Sequence, residues 1–279
     1  MPLATNQDIR IRYERAGAGP ALLLIPGLGG GVQQLSGLAA ALAQHYTVLS
    51  VDPRGAHGSD KPDLPYEGSG LADDMASVLA LAATGPVHVV GISFGGMIAQ
   101  QLALRAPHLV RSLVLASTYA AADPWSARMW SVREMLLDRV GMVDHFRLAM
   151  MFLFSPRVFR EEPDRIKALE AGFASAQPDP VGYRRQLEYC RDHDTRGRLG
   201  AIAAPTLVVT GAEDILATPF QGRDLAREIP GALYREIPEA AHLFMLAEPA
   251  AFAALVRDFH GGKLNEEQVA APRKLGATR

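Results

Sequence analysis

Two kinds of apolar run alternate along the chain. The first is short: PALLLIPG (20–27), YTVLSVD (46–52), PVHVVGI (86–92), LVRSLVLAS (109–117) and APTLVVTGAED (204–214). PALLLIPG is continuously apolar, as a strand covered on both faces would be. IRIRYERA (9–16) instead alternates and reads as a half-exposed edge strand. The second kind has helical spacing. QQLSGLAAALAQHY (33–46) carries Leu35, Leu38 and Leu42, and residues 69–83 carry Leu71, Met75, Val78, Leu79 and Ala82 on one face. GGMIAQQLALRAP (95–107) is a helix stopped by Pro107. Alternation of strand and helix predicts parallel pairing in a doubly wound α/β sheet.

The rhythm breaks between about Thr118 and Leu199. Helical segments rich in aromatic residues and methionine, WSARMWSVREMLLDRVG (125–141) and HFRLAMMFLF (145–154), replace strands there. It resumes with APTLVVTGAED, QGRDLAREI (221–229), ALYREIP (232–238) and the closing helix PAAFAALVRDFH (249–260). The expected organisation is a core of residues 1–117 and 200–260, a helical insertion over residues 118–199, and a loose tail, 261–279, without apolar periodicity.

Composition narrows the classes of function. With 279 residues, 48% hydrophobic and 21% charged, the chain is long enough for one large α/β domain with an insertion. A net charge of −2 gives no electrostatic case for a nucleic acid or an anionic membrane as partner. The single cysteine, Cys190, excludes an intrachain disulfide and fits a reducing compartment. The N-terminus has no apolar leader segment, and no run approaches the ~20 apolar residues that span a bilayer. A cytoplasmic protein acting on a small molecule is the expectation. The oligomeric state is open, a homodimer among the alternatives.

Candidate chemistry begins with HVVGISFGGMIAQ (88–100), a strand, then G-x-S-x-G, then a helix. Such a join forces its central residue, Ser93, into a sharp turn with its side chain above the sheet. Gly91 and Gly95 keep Cβ atoms out of the bend. The motif alone reads about equally well as a serine in a tight βα turn; the flanking strand and helix tip it toward a nucleophile. A serine hydroxyl needs a base within hydrogen-bond reach, and the base needs an orienting acid. Asp214 lies in the loop past one late strand and His242 past the last, at the same sheet edge as Ser93. Glu213 and Asp123 are alternative acids. CRDHD (190–194) lacks metal-ligand spacing and reads as a solvated helix face, so no metal and no cofactor are expected.

Assembled, these segments resemble the α/β-hydrolase family over roughly residues 8–260. LLLIPGLGG matches the oxyanion loop after the third strand, VDPRGAHGSDKP the turn after the fourth, VVGISFGGMIAQ the nucleophile elbow, GAEDILATP the acid loop and EAAHLFMLAEP the histidine loop. Two positions depart from the pattern: Pro26 stands where the family usually has His, and Ala241 where it usually has Gly. The resemblance implies Ser93 as nucleophile, His242 as general base and then acid, and Asp214 as its orienting partner. It also implies an oxyanion hole from the backbone N–H groups of Leu28 and Phe94, and a structural rather than substrate-clamping Arg54.

The same resemblance makes the insertion a helical lid. Trp125, Trp130, Phe146, Met150 and Phe154 are its candidate substrate-binding residues, for a largely hydrophobic substrate. Arg184, Arg185 and Arg191 fit a solvated face better than a carboxylate clamp. The reading that follows is a serine hydrolase of an ester or lactone, similar to enol-lactonase and esterase members. A C–C hydrolase of ring-cleavage products is a second reading, weakened because Ile92 stands where those enzymes carry Asn. A cofactor-free haloperoxidase-type activity and a non-catalytic small-ligand receptor on the same fold complete the alternatives.

Overall fold

The computed structural model describes residues 2–82, 85–175 and 179–264; most of the tail expected to be loose, residues 265–279, lies outside them. Eight strands form one sheet in the order β1-β2-β4-β3-β5-β6-β7-β8. They are β1 (Leu3–Asn6), β2 (Ile9–Ala16), β3 (Ala21–Ile25), β4 (Thr47–Val51), β5 (Val87–Ile92), β6 (Val110–Ala116), β7 (Thr206–Gly211) and β8 (Leu233–Ile237). From β4 to β8 across the sheet every pairing is parallel.

One expectation is corrected here. IRIRYERA is not an edge strand: β2 lies between β1 and β4, antiparallel to both, and β1 forms the edge. Only four residues long, with alternating exposure, β1 offers little apolar signal of its own.

The continuous apolar strands are buried on both faces because helices cover both. Successive side chains of β3 go to opposite sides. Leu23 and Ile25 pack with α2 (Gly68–Ala82), α3 (Phe94–Arg105) and α8 (Pro219–Glu228). Leu22 and Leu24 pack with α1 (Ser36–Ala43) and α10 (Pro249–His260). Short α9 (Phe244–Ala247) joins the latter cluster through Phe244 and Met245. After β3 the chain builds β4 on one side, then crosses back to build β5 on the other. The crevice beyond the ends of β3 and β5 is therefore the point where strand order reverses, where open α/β sheets bind ligands.

Between β6 and β7 the chain forms α4 (Pro124–Leu153), α5 (Pro156–Glu161), α6 (Pro163–Ser175) and α7 (Pro180–Asp192). Asp123 caps α4, its carboxylate accepting from Ser126 N–H at 2.8 Å. Gly141 breaks α4 with φ +74°. The only strand-like pairing in the insertion, among the described residues, is a bridge between Ala121 and Asp194. Met150, Phe154, Val158 and Ile166 form a small core of the insertion's own. No helix among the described residues is long and apolar enough to cross a membrane.

Candidate active site

Ser93 sits at the turn from β5 into α3 with φ +55° and ψ −118°, a conformation that L-residues rarely adopt. Surrounding structure holds it there. Its N–H donates to Ala116 O at 2.8 Å, and its carbonyl accepts from Gly96 N–H at 2.8 Å and Met97 N–H at 3.2 Å. The glycines are required by close approach. A Cβ on Gly95 would lie 2.3 Å from Ile25 O and 2.5 Å from Pro26 O; one on Gly91 would lie 2.5 Å from Gly95 O. The elbow is thus wedged against the end of β3, and a Cβ on Gly27 would stand 3.3 Å from Ser93 Cβ.

Asp214 and His242 meet at the ends of β7 and β8. His242 Nδ1–H donates to Asp214 Oδ2 at 2.8 Å and Oδ1 at 3.0 Å, with both side chains buried. An ionised carboxylate only accepts, so the proton sits on Nδ1 and Nε2 is left as an acceptor. Asp214 Oδ1 also accepts from Leu216 N–H and Ala217 N–H, each at 2.9 Å. The two loops are stitched together by Glu213 N–H to Ala240 O (2.8 Å) and Ala212 N–H to Ile237 O (2.9 Å). Ser117 Oγ–H donates to His242 O at 2.8 Å. Of the alternative acids, Glu213 is exposed and Asp123 is occupied as a helix cap.

Ser93 and His242 open onto one cavity of about 330 Å³. Gly27, Leu28 and Gly29 border it on the core side. No hydrogen bond joins Ser93 Oγ to His242 among the described residues; such bonds often tighten only when substrate binds. Leu28 lies inside a tight turn closed by Gly30 N–H to Gly27 O at 2.9 Å, with Gly29 at φ +69°. Phe94, the first residue of α3, is fully buried.

The insertion supplies the opposite wall. Trp130 and Phe146 line the cavity as the sequence suggests. Three other expected lining residues do not. Trp125 is 55% exposed and donates its indole N–H to Ile215 O at 2.8 Å. Met150 is spent on the insertion's own core. Phe154 faces a separate cavity of about 260 Å³ between the insertion and the β8–α9 loop. All five share the same composition signal; only the direction each helix faces separates them.

The sequence reading missed Arg133. It is 5% exposed, lines the main cavity, and has no carboxylate partner among the described residues. Its guanidinium donates to Tyr183 Oη at 2.7 Å, lies 4.9 Å from the Trp130 ring centroid, and has an unpartnered Nε. On the far side of Tyr183, His145 Nε2 lies 3.2 Å from the phenol oxygen. Burial lowers the His145 pKa to about 4, aided by Arg133. His57, with φ +42°, also lines the cavity and donates Nε2–H to Gly29 O at 3.1 Å. A sequence signal for Arg133 existed: it follows Trp130 by three positions, on the same face of α4.

The arginines considered for a clamp are paired elsewhere: Arg184 with Asp138, Arg185 with Asp63 and Glu188, Arg191 with Glu134 and Asp192. Arg54 makes a two-pronged bond to buried Asp74 at 2.7 and 2.8 Å. CRDHD is not wholly a solvated face: Cys190 is buried in the core and His193 is buried against Tyr189 and Gln100. No cluster that could hold a metal occurs among the described residues.

Residues 20–249 match the family model of the alpha/beta hydrolase fold. The chain belongs to that family. A curated relative from Azorhizobium caulinodans, named "Putative carbamate hydrolase RutD", is 33% identical over 94% of this chain and 98% of its own length. The 3-oxoadipate enol-lactonase 2 of Acinetobacter baylyi is 28% identical over 89% and 92% of the two chains. The crystal structure of the enol-lactonase from Burkholderia xenovorans LB400 superposes with a TM-score of 0.85 at 28% identity, covering 93% of this chain and all of that one. These α/β-hydrolase relatives make this chain a member of a hydrolase family.

Proposed function

We propose that the protein is a serine hydrolase of an ester or lactone that works through an acyl-enzyme. The observation that carries the reading is that strained Ser93 and the Asp214-oriented His242 open onto one cavity bordered by the Gly27–Gly29 turn. Ser93 Oγ attacks the acyl carbon while His242 Nε2 takes its proton. The Leu28 and Phe94 N–H groups receive the developing oxyanion; losing one such donor typically costs about 2.7–4 kcal/mol. His242 then protonates the departing alcohol oxygen, and water, activated by the same Nε2, releases the acid. The insertion acts as the lid that closes this cavity from water. No step calls for a cofactor.

The substrate combines an apolar body, matched to Trp130, Phe146, Leu153 and Leu216, with an anionic group facing Arg133. A buried guanidinium without a carboxylate is costly until a ligand supplies one. The carbamate hydrolase name of the Azorhizobium relative supports a second reading, attack on a carbamate carbonyl by the same residues. Ile92 continues to weigh against C–C cleavage.

The test is labelling by a fluorophosphonate probe, followed by turnover of aryl esters, lactones, carbamates and vinylogous diketones. Labelling should vanish in Ser93→Ala, and turnover should fall on the order of 10⁶-fold. Unchanged hydrolysis by Ser93→Ala would overturn the mechanism; strong diketone turnover with negligible ester turnover would overturn the substrate class.

A further inference from the structure

The Gly27–Gly30 turn does not stand on the core alone. Its outer side rests on α7. Gly29 N–H donates to Gln186 Oε1 at 2.8 Å, and Gln186 Nε2–H donates to Arg54 O at 2.7 Å. These partners fix which way the amide faces, since one is a donor and the other an acceptor. Gln186 is fully buried. One turn earlier on α7, the Tyr183 ring lies so close that a Cβ on Gly29 would be 2.8 Å from it. Tyr183 is in turn held by Arg133 and His145.

The base of α7 is locked to the core. A Cβ on Gly182 would meet Gly55 O at 2.2 Å, so the two backbones touch directly. Gly55 and Arg54 belong to the turn after β4, anchored by the buried Arg54–Asp74 pair. A side chain from the insertion thus bridges two core loops, the Gly27–Gly30 turn and the Arg54–Gly55 turn.

We infer that Gln186 is a positioning residue for the oxyanion hole: by holding Gly29 N–H it sets the plane of the peptide turn that aims Leu28 N–H at the reacting oxygen. The inference rests on the serine-hydrolase reading. The turn has Pro26, which has no N–H, on one side and Gly29 in the left-handed region on the other. Its own Gly30 N–H to Gly27 O bond closes the turn, and hydrogen bonds from neighbouring side chains, Gln186 and His57, hold it from outside. His57, from the third side, donates Nε2–H to Gly29 O and so holds only the turn's far carbonyl. Gln186 holds the N–H of the Leu28–Gly29 peptide, the one next to the Gly27–Leu28 peptide that carries the oxyanion donor. Misplacement of a donor by about 1 Å can cost on the order of 100-fold in rate.

The experiment compares wild type with Gln186→Leu, Gln186→Asn and Gln186→Glu on the best ester found. Asn is polar but one methylene too short to reach Gly29; Glu keeps an acceptor there. The expected result is a fall in kcat of about 100-fold for the Leu and Asn variants with KM within a factor of about 2. Affinity for a boronic acid, whose adduct on Ser93 places B–O⁻ in the oxyanion hole, should weaken in parallel. Gln186→Glu keeps the acceptor for Gly29 N–H but sets its second oxygen against Arg54 O, so it should recover only part of the loss. A thermal midpoint for Gln186→Asn close to wild type would separate this effect from unfolding. If the variants keep kcat, or lose KM and kcat together with no change in boronate affinity, the positioning role is wrong. Fluorophosphonate labelling of wild type and its absence in Ser93→Ala report separately on the serine reading. If wild type is not labelled, that reading falls and this inference with it.

Discussion

Ser93 and Arg133 are both held at a cost that folding alone does not explain. Ser93 occupies φ +55°, and such strained residues collect where function needs them. Arg133, on α4 of the insertion, is a buried cation with an unpartnered Nε and only a phenol oxygen to donate to. Removing one partner of a charged hydrogen bond costs about 1.5–3 kcal/mol. Arg133→Met should therefore raise KM about 10- to 100-fold for an ester carrying a carboxylate, while leaving a neutral ester of the same size within a few-fold. It should also raise the thermal midpoint, because an uncompensated buried charge has been replaced by an apolar chain of similar length. Equal effects on the charged and neutral esters would remove Arg133 from substrate recognition.

At the level of elements, the β5–α3 join and helix α7 do different work. The join is built by contact between backbones: Gly95 approaches the carbonyls of Ile25 and Pro26, and neither oxygen can swing away without breaking the end of β3. Gly95→Ala should destabilise the fold by about 1–3 kcal/mol, the usual range for overpacking, read as a lowered midpoint in urea. It should also lower turnover more than stability alone predicts, since the turn carrying Ser93 moves with it. A midpoint unchanged from wild type would mean that the elbow has slack the close approaches do not suggest. Helix α7, by contrast, touches the site through side chains: Tyr183 and Gln186 point at the Gly29 turn, while Arg184, Arg185 and Arg191 pair with acids on the outer side.

Across the whole molecule, a second polar cluster sits at the opposite end of β5 from Ser93. His88 stacks on His260 with centroids 3.9 Å apart, and Tyr46 Oη lies 2.9 Å from His260 Nδ1. Burial pushes the pKa of His88 down to about 4 and of His260 to about 3, with Arg111 and the neighbouring imidazole adding to the effect. His193, buried between α3 and α7, is lowered to about 3 and His145 to about 4. All four are neutral in the fold but take up protons in the unfolded chain below about pH 6.5. Their contribution is intact above pH 6.5 and is lost as pH falls toward the folded values. Each removes up to about 1.4 kcal/mol per pH unit across that window. The thermal midpoint should drop steadily from pH 6.5 to 4.5, and His260→Phe should flatten the curve. An equal slope in that variant would show that the pair does not govern acid stability.

Most of the sheet was legible in the sequence because its strands are continuously apolar and its helices keep a regular buried stripe, signals that are local. β1 was not, because four residues paired only to a hairpin partner carry no period of their own. The elbow glycines, Ser93, Asp214 and His242 could be named from strand-end positions and chain order. That Ser93 and His242 open onto one cavity, with Asp214 rather than Glu213 facing His242, is a matter of loop packing. The insertion was the hard part. Trp125, Trp130, Met150 and Phe154 look alike as apolar residues, and Arg133 looks like any charge on a helix. Which of them faces the cavity depends on how α4 rolls against the sheet and against α7. By itself the sequence determined the alternation of elements and the order of the reactive side chains, since local periodicity and turn chemistry encode both. Only the tertiary structure decided what surrounds them, because burying Arg133 against Tyr183 and standing the Gly29 turn on Gln186 depend on contacts between segments 50 and 157 residues apart.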